Sequence, residues 1–262
     1  MTDSNRGRFV WYEHLTTDPK AAIEFYTKVA GWTTQKFEHG DYTMFVGSQG
    51  PLGGVTMLPE SAKKMGAGPF WQANVEVPDV DETIAQVKKL GGQIYVTEDV
   101  PTVGRLAVIA DPQGAVISVF TPATAMQSHD ITRHGEFSWH ELYTSDHKAA
   151  FEFYRAIAGW DQLGSFDMGP EMGEYLLWGR GGKQLGGMMT KPKGMKTPDG
   201  REVPNAWLFY ITVTDFEAAL ARAKEAGATV LNGPMPVPGG QQIVQLMDPL
   251  GGAFALVTPP AG

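Results

Sequence analysis

No cysteine occurs in the 262 residues, which excludes disulfides, thiolate nucleophiles and cysteine-ligated zinc or iron–sulfur centres together. Histidine is sparse: His14, His39, His129, His134, His140 and His147 are the whole complement, with no HxH or HExxH spacing among them. Basic runs are missing too. The formal net charge is −8, and the short Lys63-Lys64 and Lys88-Lys89 pairs read as solvated faces. A nucleic-acid partner is not expected, because neutralising phosphates takes a concentrated positive surface. No apolar run approaches the roughly 20 residues that span a bilayer, and the opening Met1–Arg8 carries no apolar leader segment. A cytoplasmic protein with no membrane partner is the expectation. No GxGxxG, Walker A, serine-elbow or Cys–His arrangement stands in a convincing context. What is present is core material: 42% of residues are apolar and 11% aromatic. The length suits one large domain or two of about 130 residues.

A repeat decides between these. Residues 9–32, FVWYEHLTTDPKAAIEFYTKVAGW, match residues 137–160, FSWHELYTSDHKAAFEFYRAIAGW, at 14 of 24 positions without a gap. The correspondence continues through Asp41-Tyr42 with Glu174-Tyr175, Leu52-Gly53-Gly54 with Leu185-Gly186-Gly187, and Asp79 with Asp215. It closes on Asp111-Pro112-Gln113-Gly114 with Asp248-Pro249-Leu250-Gly251. The chain is therefore two copies, 9–122 and 136–259, joined by a linker at 123–135.

Each copy shows a half-period. In the first helix Asp18 is a good N-cap, Pro19 sits at the first helical position and Gly31 stops it. In the second, Asp79 caps and Gly91-Gly92 end it. Asp146 to Gly159 and Asp215 to Gly227 repeat the scheme. Short β-rich runs at Tyr42–Gly47, Gly54–Leu58, Leu106–Ala110 and Val116–Phe120 fill the first copy. The pattern is an α+β fold of four βαβββ modules, about 9–60, 69–122, 136–191 and 204–259.

The opening strand–Asp–helix–Phe-Tyr–Gly-Trp and the closing DPxG strand resemble those of the vicinal oxygen chelate superfamily, which embraces glyoxalases, bleomycin-resistance proteins and extradiol dioxygenases. The likeness is closest to tandem-domain members known as glyoxalase-like proteins or hydroxylases, a mycobacterial culture-filtrate antigen among them; their WxELxT-type opening matches Trp139, Glu141 and Thr144. The resemblance implies two tandem domains whose curved mixed sheets surround clefts. It also implies metal-ligand positions on the first and last strands of each module. Those positions hold Trp11, Gln72 and Ser118 in the first copy and Trp139, Leu208 and Ala255 in the second. Trp, Leu and Ala cannot ligate a divalent cation, and Ser and Gln are weak ligands. No cofactor is expected, and a divalent metal would need unconventional ligands.

Strand alternation puts Trp11 and Glu13 on one face, and Trp139, Glu141 and Tyr143 on the matching face of the second copy, with His14 and His140 opposite. A carboxylate among aromatic side chains is costly to bury unpaired, so Glu13 and Glu141 are the candidate catalytic residues. A partly solvated glutamate paired with an arginine or a backbone amide is the alternative. Asn74 and Tyr210 on the fifth strand of each copy, together with Tyr42 and Tyr175, are candidate ligand-binding residues beside Trp11, Trp139 and Tyr143. Arg105 is a candidate cation for an acidic ligand or a solvent-facing strand residue; its counterpart is Gln242. The Gly53-Gly54 and Gly186-Gly187 pairs mark either a bulge or bend, or a close approach of backbone to the cleft.

Three functions fit. The first is a binding protein for a small organic molecule, with an aromatic, glutamate-containing cleft and without the usual metal. The second is a lyase, isomerase or oxygenase of the glyoxalase or dioxygenase type, with Glu13 or Glu141 as base or unconventional ligand. The third is an assembly module. The chain is expected to be a monomer or a homodimer, since tandem copies can pair within one chain.

Overall fold

In this computed structural model, which describes residues 5–38, 42–198 and 200–260, each copy is built from eight strands. His39 and Asp41 lie outside the described residues. The first copy runs β1 (Phe9–Thr16), α1 (Pro19–Ala30), β2 (Thr33–Lys36), β3 (Thr43–Gly47), β4 (Gly50–Met57) and the short α2 (Glu60–Lys64). It continues with β5 (Phe70–Glu76), α3 (Val80–Lys89), β6 (Gln93–Val100), β7 (Gly104–Ala110) and β8 (Val116–Pro122). In the second copy, β9 (Phe137–Thr144), α4 (His147–Ala158), β10 (Asp161–Asp167), β11 (Glu174–Arg180) and β12 (Lys183–Thr190) come first. There follow β13 (Ala206–Thr212), α5 (Phe216–Glu225), β14 (Thr229–Pro236), β15 (Gln242–Met247) and β16 (Ala253–Val257).

Four aspartates start the four main helices. Asp18, Asp79, Asp146 and Asp215 accept backbone N–H bonds from Ala21, Glu82, Ala149 and Ala218 at 2.9–3.1 Å, which satisfies donors that a helix N-terminus leaves orphaned. Gly31 and Gly159 close α1 and α4 in the left-handed conformation, each with φ of 71°. The sheets follow the copies. Their strand orders are β2-β3-β4-β1-β5-β8-β7-β6 and β10-β11-β12-β9-β13-β16-β15-β14. Within every module the first strand pairs in parallel with the last, as β1 with β4 and β13 with β16, while hairpin neighbours run antiparallel. The result is two open, mixed, eight-stranded sheets. The edge strand β2 is wholly exposed and polar, so periodicity gave no sign of it; charge and polarity on an edge discourage pairing with other chains.

Packing cuts across the copies. One compact unit comprises residues up to Val10, Ala73–Gln127 and Trp139–Trp207; the other comprises Trp11–Gln72, Ser128–Ser138 and Leu208–Gly262. The second module thus packs with the third, and the first with the fourth. In the first of these units α3 lies against α4, and in the other α1 lies against α5. Each helix has an apolar stripe to bury, and it packs both on strands of its own module and on a helix of the other copy. The aspartate of each DPxG turn carries this contact. Asp248 accepts from the backbone N–H of Leu250 and Gly252 through Oδ1, while Oδ2 accepts from the Tyr26 hydroxyl of α1 at 2.8 Å. Asp111 caps its own turn in the same way and accepts from the Tyr154 hydroxyl of α4 at 3.2 Å. Trp71 and Trp207 donate to these same tyrosines.

The stretch expected to be a linker is held down. Arg8 reaches the Met126 carbonyl in the one unit. In the other, Gln49 and Asp130 exchange two hydrogen bonds, Trp32 donates to the Gly135 carbonyl, and His129 pairs with buried Glu136 at 2.9 Å. No helix among the described residues is long and apolar enough to cross a membrane.

Candidate functional site

The site in the first copy begins with a glycine pair inside a strand. Gly53 and Gly54 sit within β4, where Tyr12 of β1 registers against Gly53 and Glu13 against Gly54. A Cβ on Gly53 would collide with the Tyr12 carbonyl oxygen, so only glycine allows β1 to lie this close. A Cβ on Gly54 would occupy the place of the Tyr42 hydroxyl. The absent side chain is what lets the Tyr42 ring lie across the strand. The bulge anticipated at the glycines falls one residue earlier, at Leu52, where β3 pairing skips from Gly53 to Pro51.

Tyr42 then links the two residues that share a face of β1. The Trp11 indole N–H donates to the Tyr42 hydroxyl at 3.0 Å, and that hydroxyl donates to Glu13 Oε2 at 2.5 Å. The order of donors is forced, since an indole can only donate and an ionised carboxylate can only accept. Glu13 Oε1 is buried and has no hydrogen-bond partner among the described residues. Burial pushes the Glu13 carboxyl up to about 7, and the hydrogen bonds from Tyr42 and Trp11 pull it only part of the way back. Burial and the neighbouring Glu13 carboxylate raise Tyr42 in turn, so the phenol stays protonated. We expect Gly54→Ala to expel the Tyr42 ring, break both bonds and cost about 1–3 kcal/mol. Thermal unfolding and the loss of Trp11–Tyr42 coupling in ultraviolet resonance Raman spectra measure this; an unchanged Raman signature would contradict it.

The second copy repeats the construction. Glu141 registers against Gly187 on β12, and a Cβ on Gly187 would overlap the Tyr175 ring. Trp139 donates to the Tyr175 hydroxyl at 3.0 Å, and Tyr175 bonds to Glu141. Gly186 makes room for the His140 carbonyl, and the accompanying bulge is at Leu185. Glu141 is 5% exposed, whereas Glu13 is half-buried. Tyr143, at the place of Leu15, lies close enough to act electrostatically on Tyr175.

The structure distributes the remaining candidates elsewhere. Asn74 is half-buried and registers against Ser118; Tyr210 is buried and accepts from Gln245 Nε2 at 2.7 Å. Arg105 is committed to two carboxylates, Asp99 at 2.7 Å and Asp81 of α3 at 2.8 Å. Ser118 registers with Val108, so Arg105, an odd number of residues away on β7, takes the opposite face from Asn74 and Ser118. It is held on the helix side and does not serve as a cation for this face. No described histidine joins the Trp–Tyr–Glu chains. His14 is fully buried with its Nε2 3.1 Å from Asp248. Burial pushes His140 down to about 4, and the neutral ring stacks on Phe9 with centroids 3.7 Å apart. His147 sits in the first turn of α4 between Thr190 and Glu174.

The divalent metal that the resemblance implies does not fit these donors. Among the described residues no group of three His, Cys, Asp or Glu side chains could hold an ion. Trp11 and Trp139 spend their only polar atoms on tyrosines, and Leu208 and Ala255 are buried apolar side chains. Two shallow surface hollows, one lined by Lys148, Phe151 and Glu174 and one by Asp99, Arg105 and Thr121, contain none of the Trp–Tyr–Glu residues. The tyrosine link between Trp and Glu, and the glycine beneath it, escaped the sequence reading. Their signal was the recurrence of Tyr and Gly-Gly at matched positions in both copies.

Comparison with known proteins finds likeness along the whole chain. Residues 136–256 match the Glyoxalase/Bleomycin resistance protein/Dioxygenase superfamily, and residues 11–120 match a Glyoxalase-like domain. A protein of Mycobacterium tuberculosis, CFP32, provisionally named a glyoxylase, is 29% identical over 95% of this chain and 94% of its own length. The anthracycline biosynthesis protein DnrV of Streptomyces peucetius is 30% identical, over 98% of this chain and 95% of its own. Among solved structures, 2,2',3-trihydroxybiphenyl 1,2-dioxygenase of Sphingomonas wittichii superposes with a TM-score of 0.66 at 14% identity, covering 98% of this chain and 91% of that one. A Mn(II)-bound glyoxalase from Novosphingobium aromaticivorans gives 0.63 at 14%, covering 98% and 83%. At such identities these two structures speak for the fold alone.

Proposed function

The chain belongs to the glyoxalase/bleomycin resistance protein/dioxygenase superfamily, and from there we propose that it binds a small organic molecule that donates a hydroxyl or amine hydrogen to Glu13, without the family's metal. The observation that carries this reading is Glu13 Oε1: a buried carboxylate oxygen with no partner among the described residues, on a carboxylate already held by Tyr42 beside the Trp11 indole. Such an oxygen is costly to leave unpaired and gains most from a donor that arrives with a ligand. Trp11 and Tyr42 are both half-buried and offer flat aromatic surface. The name of one relative, an anthracycline biosynthesis protein, favours flat hydroxylated aromatic compounds.

Titration of hydroxyanthraquinones and catechols against protein purified without tag or chelator, followed by Trp fluorescence, tests this. Binding is expected to strengthen as pH rises through about 7, where Glu13 ionises, and to weaken about 10- to 100-fold in Glu13→Gln, the worth of a hydrogen bond to a charged group. Unchanged affinity in that variant would overturn the carboxylate role. Stoichiometric Zn, Ni, Fe or Mn that Glu13→Gln removes would overturn the metal-free reading.

One observation favours a second reading. A carboxyl that ionises near pH 7 is matched to general-base work, so a lyase or isomerase step, with Glu13 taking a proton from a bound hydroxyl or acidic C–H, would use the same site. Turnover of a bound probe that vanishes in Glu13→Gln separates this enzyme from a binding protein.

A further inference from the structure

The hollow beside Arg105 is built wholly within the second module, at the β6–β7 turn, and measures about 440 Å³, in the range of small-molecule sites. Strand register explains its wall. Asp99 pairs with Arg105 across β6 and β7, and Arg105 pairs with Thr121 across β7 and β8, so the three side chains stand in one row on one face of the sheet. The Arg105 guanidinium bridges Asp99 at 2.7 Å and Asp81 of α3 at 2.8 Å. Both carboxylates stay open to an incoming molecule, 77% and 66% exposed. Val100, Pro101 and Pro122 add apolar surface beside the row. Thr102, in the turn at the rim, has a φ of 67°, a left-handed conformation that is costly for a β-branched residue.

The repeat shows what this turn needs for folding alone. In the second copy Gly239, with φ of 98°, stands at the place of Thr102, and Gln242 stands at the place of Arg105. A turn of this form closes on glycine without strain, so the fold demands neither threonine nor arginine there. Strain retained at the rim of a hollow points to a working surface. Charge then selects what the surface can hold. Two carboxylates and one guanidinium sum to −1, which disfavours an anion, and the guanidinium between the carboxylates opposes a cation. A neutral molecule with adjacent hydroxyls suits the row. Its O–H groups donate to Asp99, and its oxygens accept from Arg105, whose guanidinium has more N–H donors than the aspartates take. We propose that this hollow binds a neutral sugar, free or at the end of a glycoside, through a vicinal diol held by Asp99 and Arg105, with the C–H face of the ring over Val100, Pro101 and Pro122. The site shares no residue with the one at Glu13 and does not depend on the binding reading above.

Amide NMR titration of the ¹⁵N-labelled full chain tests the proposal, with methyl glucoside, methyl galactoside, methyl mannoside and the three free sugars as probes. Tetrahydropyran-2-methanol, a ring without the vicinal diol, is the control. Saturable shifts at millimolar sugar are expected at residues 99–105 and 121–123, with none from the control. Binding of the free sugars alone identifies a monosaccharide site, and binding of the glycosides as well identifies a glycosyl site; either supports the proposal. Arg105→Gln, which installs the residue of the second copy, should weaken binding about 10-fold, and Asp99→Asn should do the same should the first variant misfold. Thr102→Gly should weaken binding and raise the melting temperature, because it releases the strained φ. A lower melting temperature in that variant would make Thr102 a residue of the fold and count against the site. No saturable shift from any sugar, shifts centred elsewhere, equal shifts from the control, or undiminished binding in Arg105→Gln would each overturn it.

Discussion

Asp248→Ala is expected to lower the unfolding free energy by about 2–4 kcal/mol, since it leaves a buried hydroxyl and two turn amides without their acceptor. Asp248 is 3% exposed. Its Oδ1 holds its own turn through the Leu250 and Gly252 amides, and its Oδ2 accepts from the Tyr26 hydroxyl, with Nε2 of the fully buried His14 ring 3.1 Å away. The Ala variant leaves the Tyr26 hydroxyl without its acceptor and removes the carboxylate beside the buried His14 ring. Asp111→Ala provides the internal control. Asp111 caps its turn and accepts from Tyr154 in the same way, but Leu142 occupies the place of His14. The electrostatics already separate the two. Burial holds Asp111 above the usual carboxylate range. Asp248 is buried as well, yet the His14 ring, with the Gly252 and Tyr26 bonds, draws it below that range. With the folded value depressed, the stabilisation by Asp248 is present above the ordinary carboxylate value near 4 and is lost as pH falls through the folded one. Urea unfolding at pH 7 should therefore show Asp248→Ala as the more damaging of the two. Equal losses would mean that His14 contributes nothing.

The second large effect has the opposite sign. Glu13→Gln should raise stability at pH 8 by about 1–3 kcal/mol and leave it unchanged at pH 4. The Glu13 carboxyl ionises at about 7 in the folded chain against 4.5 in the unfolded one. Between those values the folded state binds more protons than the unfolded state, so stability falls as pH rises through the window. Above pH 7 the whole penalty is present, at most about 3 kcal/mol for a shift of this size. Glutamine removes the charge while its amide oxygen still accepts from Tyr42. The melting temperature of the variant should exceed that of the parent by several degrees at pH 8, and the two curves should converge on acidification. Parallel curves across pH 4–8 would show that Glu13 ionises normally. A residue that weakens ligand binding when removed and stabilises the protein at the same time is a functional residue in the strict sense, because nothing in the fold requires it.

Much of this was legible in the order of residues. The duplication, the four capped helices and the four modules rest on local rules: an aspartate side chain reaches the amides of its own first turn, and glycine takes positive φ after the last one. Those contacts span a few residues, so they can be read without knowing the fold. The alternation along β1 and β9 likewise placed Trp and Glu on one face and histidine on the other. The exposed edge strand β2 left no mark, because a polar strand has no period to detect. Arg105 was ambiguous because its position names neither its face nor its partners; Asp81 lies 24 residues away and Asp99 lies 6 away on a neighbouring strand.

The glutamates stood out in the primary structure because a carboxylate among aromatics is an expensive composition for a strand. Three things needed the folded chain. One was the tyrosine between Trp11 and Glu13, 29 residues from the glutamate and brought over it by the missing side chain of Gly54. Another was the exchange of packing partners, in which each main helix of one copy also packs against a helix of the other. The last was the state of the Glu13 carboxylate, buried beside aromatic rings with one oxygen unpartnered among the described residues. Local hydrogen bonds and strand parity are written in sequence spacing. Burial and partnership across tens or hundreds of residues are set by which surfaces meet, and they alone distinguish the two otherwise matching copies.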